Sequence, residues 1–171
     1  LRAVDNYHTL LHLAQAGHDL PMQVSALNKL AFVTALMQGQ FPEAEKHLAE
    51  AGNLAMECGD LPGQAELHMV YCYLRVPFGD FDDAVDHLSE SAKIGRELDA
   101  EEPRLFGLTH IANTLTYMTR FEDARQATRE ARELAEELGN RKWLSEILAG
   151  PTTFYNLRNG DLDAAYESAE Q

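Results

Sequence analysis

The chain holds only two cysteines, Cys58 and Cys72, in 171 residues. Neither belongs to a CxxC pair or another metal-ligand spacing, and two thiols are too few for a disulfide framework. A reducing, cytoplasmic setting is the expectation. Basic residues are also scarce: 14 against 28 acids leave a net charge of −14. That balance repels phosphate backbones and anionic lipid, which argues against nucleic-acid and membrane partners for this segment. No apolar stretch approaches the roughly 18 to 20 residues of a membrane span, and no basic-then-apolar leader opens the chain. A phosphate-binding glycine loop, a nucleophile elbow and a paired-carboxylate motif are all missing. Against these absences, 45% of the residues are hydrophobic, enough for a real core and too many for a disordered chain.

What is present is a repeat. Gly39-Gln40-Phe41-Pro42-Glu43-Ala44 recurs as Gly79-Asp80-Phe81-Asp82-Asp83-Ala84 and as Thr119-Arg120-Phe121-Glu122-Asp123-Ala124, 40 residues apart each time. A fourth copy, Gly160-Asp161-Leu162-Asp163-Ala164-Ala165, arrives after 41. Downstream the register holds: Leu48 matches Leu88, Leu54 matches Ile94 and Leu134, and Cys58 matches Leu98 and Leu138. Self-similarity at such a period marks a stacked-repeat architecture.

Each unit reads as two helices. After the turn, Ala44, Leu48, Ala51, Leu54, Ala55 and Cys58 recur at steps of three and four, the stripe of a 3.6-residue period. This second helix of the unit ends in punctuation such as Gly59-Asp60-Leu61-Pro62 or Leu138-Gly139-Asn140. The first helix of the next unit then runs to the next Gly-x-Phe turn. The pattern predicts nine helices and no strand, at 2–17, 22–38, 42–58, 62–77, 82–98, 103–118, 122–138, 142–158 and 162–171. Pro77 and Pro151 should bend or interrupt two of them. The units are 21–60, 61–101 and 102–140, with partial ones at 1–20 and 141–171, all in a single array. With no initiator Met and both ends inside the repeat, the chain reads as a fragment of a longer protein.

The Gly-x-Phe/Leu-x-x-Ala turn, with Leu48, Leu88 or Thr128 four residues after the Ala and Ala51, Ser91 or Ala131 seven after it, resembles the tetratricopeptide repeat over essentially the whole chain. The 40-residue length is similar to the variant in bacterial ATP-dependent transcription regulators related to the maltose regulator and in multidomain signalling proteins. The family's Trp and small Gly are replaced: Phe32, Cys72, Ala112 and Thr153 stand at its packing column. The resemblance implies an all-α, right-handed superhelix of about four helix pairs whose first helices line a concave, partner-binding groove. Mapped onto this sequence, that groove takes Lys29, Val33, Leu36 and Met37, then Glu66, Met69, Tyr73 and Val76. Phe106, Thr109, Asn113, Thr116 and Tyr117 follow, with Ile147, Phe154, Leu157 and Arg158 in the last unit. The lining is apolar and aromatic, suited to an apolar segment rather than a charged tail. The carboxylate clamp of some relatives is not reproduced, since Lys29 and Asn113 match its columns two units apart.

Other candidates have plainer readings. His8 and His12 stand four apart, a spacing that can hold a metal, but no third ligand accompanies them. His47 and His87 share a repeat column, which speaks for packing. Cys58 and Cys72 fall on core columns, where a free thiol behaves as a small hydrophobe. Asp80, Asp82, Asp83 and Asp86 lack the Gly and the closing Glu of a calcium loop and match a helix N-terminus instead. The mixed charges of 120–142 read as a salt-bridged surface, and Trp143 as inter-repeat packing. No catalytic, metal or cofactor site is assigned, and an enzyme is not expected. The expected function is a scaffold that holds a peptide or helix from a partner or from elsewhere in its own chain. The alternative is a regulator's sensor, whose effector pocket would involve Pro151, Thr152, Thr153, Phe154 and Tyr155. The apolar faces of 2–17 and 162–171 also predict end-to-end self-association.

Overall fold

The computed structural model describes residues 2–161, 163–165 and 167, without the side chains of Arg2, Tyr155 and Asn159. The fold is all-α, with no strand among the described residues. Two compact units divide the chain, Leu1–Asp80 and Phe81–Gln171, and the boundary falls in the second Gly-x-Phe turn. The first unit contains α1 (Arg2–Ala16), α2 (Leu20–Gln38), α3 (Phe41–Cys58) and α4 (Leu61–Arg75), followed by a 3-10 turn over Val76–Phe78. The second contains α5 (Phe81–Glu97), α6 (Glu101–Tyr117), α7 (Phe121–Glu137), α8 (Arg141–Ile147) and α9 (Thr153–Asn159). Between α8 and α9 lies a π turn, Leu148–Thr152, with Pro151 inside it. Both prolines thus interrupt their helices, as expected from a residue with no N–H to donate. Most of the last expected helix, 162–171, lies outside the described residues, but 163–165 are helical.

The joints between helices follow one rule. A residue with positive φ stands at 18, 39, 59, 79, 99, 119, 139 and 160, so the steps are 20 residues except for 21 at the first and last. Five of these are Gly; His18, Asp99 and Thr119 take the same left-handed conformation with a side chain attached. At seven of the eight, the following residue's N–H reaches the carbonyl five residues back, as in Asp60 to Ala55 at 2.9 Å and Asn140 to Ala135 at 2.9 Å. This is the Schellman closure of a helix end. The same following residue often opens the next helix: Asp19 accepts from the Met22 N–H, Asp60 from Gly63 and Asn140 from Trp143. One Asp or Asn therefore ends one helix and caps another.

The two 21-residue steps accommodate their extra residue differently. At the end of α2 the Gln40 N–H reaches back six residues, to Thr34, at 3.1 Å. In the last step the surplus residue coincides with the π turn, which takes one more residue per hydrogen-bonded turn than an α-helix. The 41-residue spacing read from sequence thus has a physical location.

Repeat columns become core. In α3, Ala44, Leu48, Ala51 and Ala55 are buried; their counterparts Ala84, Leu88, Ser91 and Gly95 are buried in α5, and Ala124, Ala131 and Ala135 in α7. On the first helices Leu27, Leu67, Gly107 and Ile147 share a column and are all buried. Two expectations need correction. Cys58 is exposed, because it ends α3 just before Gly59, beyond the last buried turn; Cys72 is buried as expected. In addition, the 19-residue α2 is long and apolar enough to cross a membrane by length and composition, with a mean hydropathy of 1.2 over an 18-residue window. Gln23, Ser25, the Asn28-Lys29 pair and Thr34 divide it, so no unbroken apolar run reveals it. Ten of its residues, Val24 and Leu27 among them, are buried within the first unit.

Candidate functional site

In the first unit, α2 and α4 are joined by polar contacts at one level and present apolar side chains at another. The buried Asn28 amide donates to the Gly63 carbonyl at 3.0 Å, and the Lys29 ammonium reaches Glu66 at 2.9 Å and the Ser25 hydroxyl at 2.8 Å. Lys29 and Glu66, both expected in a groove, are therefore neutralised by each other. Further along α2, Phe32, Leu36 and Met37 are 36%, 45% and 78% exposed. The Tyr73 ring meets Phe32 edge-on at 5.3 Å. Met69 and Val76 are half-buried, whereas Val33 is buried and does not line any surface. Phe32, assigned by its column to packing, belongs to the exposed cluster instead. Its exposure was not legible, because the column says only which face a residue occupies, not how far the neighbouring helix covers it.

In the second unit the side chains of α6 form a ladder with those of 141–159. The Phe106 ring stacks on His110 at 3.9 Å and meets Trp143 edge-on at 6.4 Å. These two rings cover it: Phe106 is 6% exposed, which corrects its place among the groove residues. Thr109, Thr116 and Ile147 are likewise buried. The Trp143 indole N–H donates to Glu102 at 3.0 Å, and the Lys142 ammonium lies 5.3 Å from the indole ring centre. Burial lowers the pKa of His110, against the raising effects of its hydrogen bond with the Phe106 carbonyl and of the Glu146 charge.

Beyond that level the ladder opens. Tyr117 is 45% exposed; its ring stacks on Phe81 at 5.9 Å and meets Phe154 at 5.0 Å. A cleft of about 320 Å³ lies beside them, lined by Asn113, Tyr117, Ala149, Gly150, Thr153, Phe154 and Leu157. Asn113, Tyr117, Phe154 and Leu157, four of the residues mapped to a groove, line this one cleft, while Arg158 is exposed and does not line it. Of the effector-pocket residues, Thr153 and Phe154 line it, Pro151 is buried beneath the surface, and the side chain of Tyr155 lies outside the described residues. Phe81, the aromatic of the repeat turn, is a member of the cluster that its turn position concealed.

Charge is divided by helix class. The first helices (α2, α4, α6 and 141–159) carry six basic and four acidic residues, and the second helices (α1, α3, α5 and α7) seven and sixteen. The Phe32–Tyr73 and Tyr117–Phe154 pairs lie on the near-neutral class, whereas Phe81 and the Phe41–Phe78 pair do not. Among the described residues no group of three or more His, Cys, Asp or Glu is placed to hold a metal ion. Burial pushes the Cys72 thiol up to about 12, where it is no nucleophile at neutral pH.

These features define an all-α protein of paired helices with apolar clusters on alternate helices. The chain is similar in structure to BtubC (BKLC) from P. vanneervenii, with a TM-score of 0.80 at 21% identity over 99% of this chain and 70% of that one. At that identity the likeness shows the fold alone. No protein-family model matches the chain, and no curated protein does.

Proposed function

We propose that the chain is a tetratricopeptide-like array that acts as a non-catalytic scaffold, holding an apolar peptide or helix from a partner against its first helices. The observation that carries this reading is the uneven exposure of large apolar side chains. Among the described residues, seven of the eleven exposed ones, Met22, Phe32, Leu36, Met37, Leu61, Tyr117 and Leu157, stand on first helices. Apolar side chains exposed on the near-neutral helices of each unit cost free energy in water unless something covers them, and aromatic and Met side chains are the common anchors of interfaces. The acidic second helices keep the rest of the surface hydrated.

The test is capture of partners from source-cell lysate by the full chain and by a Leu36→Ser/Met37→Ser/Tyr117→Ser variant. All three side chains are exposed, so the variant keeps its helix content. A protein retained by the parent chain and lost with the variant supports the scaffold; identical retention rejects the assigned surface. A second reading, an effector-binding sensor within a larger regulator, is favoured by one observation, the cleft at the π turn. Under that reading a bound small molecule alters hydrogen exchange in the second unit beyond the cleft itself.

A further inference from the structure

The cleft beside the π turn has a chemistry that narrows its occupant. Its floor is Ala149 and Gly150, which leave the space unfilled; a methyl group added at Gly150 would meet only the Asn113 amide nitrogen, at 3.9 Å. The half-buried Asn113 amide makes no hydrogen bond to another described residue, so a donor and an acceptor stand side by side, uncommitted, at the wall. Two aromatic rings, Tyr117 and Phe154, form the neighbouring wall, and Tyr117 keeps nearly half its surface open. Among the described residues no charged side chain lines the cleft. An ionised ligand would lose hydration here without gaining a partner, and the chain's net charge of −14 opposes anions in particular.

We propose that this cleft binds a small uncharged planar ring whose edge carries a hydrogen-bond donor beside an acceptor, the chemistry shared by a nucleobase and a nicotinamide-type carboxamide. The ring stacks on one of Tyr117 and Phe154 and meets the other edge-on, because the two stand 60° apart and a planar π face stacks on an exposed aromatic. Its edge pairs with the Asn113 amide in the two-point manner that an Asn side chain offers an adenine. The volume of about 320 Å³ is near the lower end of ligand sites and suits one or two rings. Ala149 and Gly150 of the floor belong to the π turn, and Thr153 and Phe154 follow directly after it. This inference deepens the sensor reading and rests on it for its biological use, but not for its chemistry.

The experiment is calorimetric titration of the full 171-residue chain with adenine and nicotinamide, against AMP and nicotinate as charged counterparts. Asn113→Leu removes the paired donor and acceptor; Gly150→Leu fills the cleft from a position with open space around it. Saturable binding of a neutral ring at about 1 mM or tighter is expected, weakened at least tenfold in both variants and at least tenfold for the charged rings. Adenine and nicotinamide distinguish the two sources of the shared chemistry. The site is rejected if neither neutral ring saturates by about 10 mM, if both variants bind as the parent does, or if charged rings bind equally well. Loss of a captured protein with Gly150→Leu, without binding of any free ring, also rejects it and gives the cleft to the scaffold. A ring that binds without altering exchange elsewhere supports the site and rejects only the sensor.

Discussion

A methyl group at Gly107 would stand 2.7 Å from the carbonyl oxygen of Leu88 and 2.8 Å from the Cβ of Ala92. Helices α5 and α6 therefore meet backbone to backbone at this point, and the obstacle is a carbonyl that cannot rotate away. Gly107→Ala should lower stability by about 1–2 kcal/mol, because overpacking outweighs the helix-propensity gain of about 1 kcal/mol. Gly150→Ala, where the added methyl meets only the Asn113 amide nitrogen at 3.9 Å, should carry no such overpacking penalty. Thermal unfolding of both variants reads the difference, at about 2–4 °C for each kcal/mol in a chain of this size. Equal midpoints would mean that α5 and α6 are not packed this closely.

Thr119 holds a φ of 60° in a joint where five sister positions are Gly. A β-branched side chain in the left-handed region crowds its own backbone, at a cost of about 1–2 kcal/mol. Thr119→Gly should raise the denaturant midpoint by the equivalent of about 1 kcal/mol, after the larger entropy of the unfolded Gly chain is set against the relief. The mirror experiment, Gly79→Thr, should lower it by a similar amount. A Thr119→Gly variant no more stable than the parent would contradict the strain at this joint.

His110 sets a pH dependence. Burial against Phe106 favours its neutral form, so its folded pKa lies below the ordinary 6.5 that it regains on unfolding. Between those two values the unfolded chain binds more protons than the folded one. Its neutral form is therefore no handicap above about pH 6.5, and stability is lost as pH falls from there through the folded value. A His110→Gln variant should lose less stability than the parent between about pH 7.5 and 5.5 in chemical denaturation. His47, also lowered by burial, contributes in the same direction and remains in both proteins, so the comparison isolates His110. Parallel curves would show that His110 is not protected from protons in the folded state.

Much of the architecture was legible because the repeat states it several times over. The columns of Ala44, Leu48, Ala51 and Ala55 are the same side of the same helix in each unit, so one reading served three helices. The site was less legible, and the reason lies in coverage. Phe32 and Phe106 are both first-helix aromatics. One is open beside Tyr73, whereas the other is shut between His110 and Trp143. Periodicity fixes direction, but closure depends on the partner side chain across the gap, here a Trp that occurs once in the chain. Gly107 was hidden for the opposite reason: its column carries Leu27, Leu67 and Ile147, so nothing in the repeat announces the close approach. The 41-residue spacing announced a surplus residue, but a π turn and a longer loop are equivalent answers to it in sequence.

The joints leave almost no slack. A helix end closed at one residue and a helix start capped by the next, as at Gly59-Asp60 and Gly139-Asn140, give a protease no strand of loop to thread through its own cleft. Cutting such a joint requires several turns of helix to melt first, so nicking by a protease follows the breathing of the helices rather than exposure of the joint. The most susceptible place is then a segment within 141–159, where a π turn and a proline have already removed the regular hydrogen-bond ladder. A first-cut map would in that sense trace the one stretch where the twenty-residue rhythm was broken from within a helix.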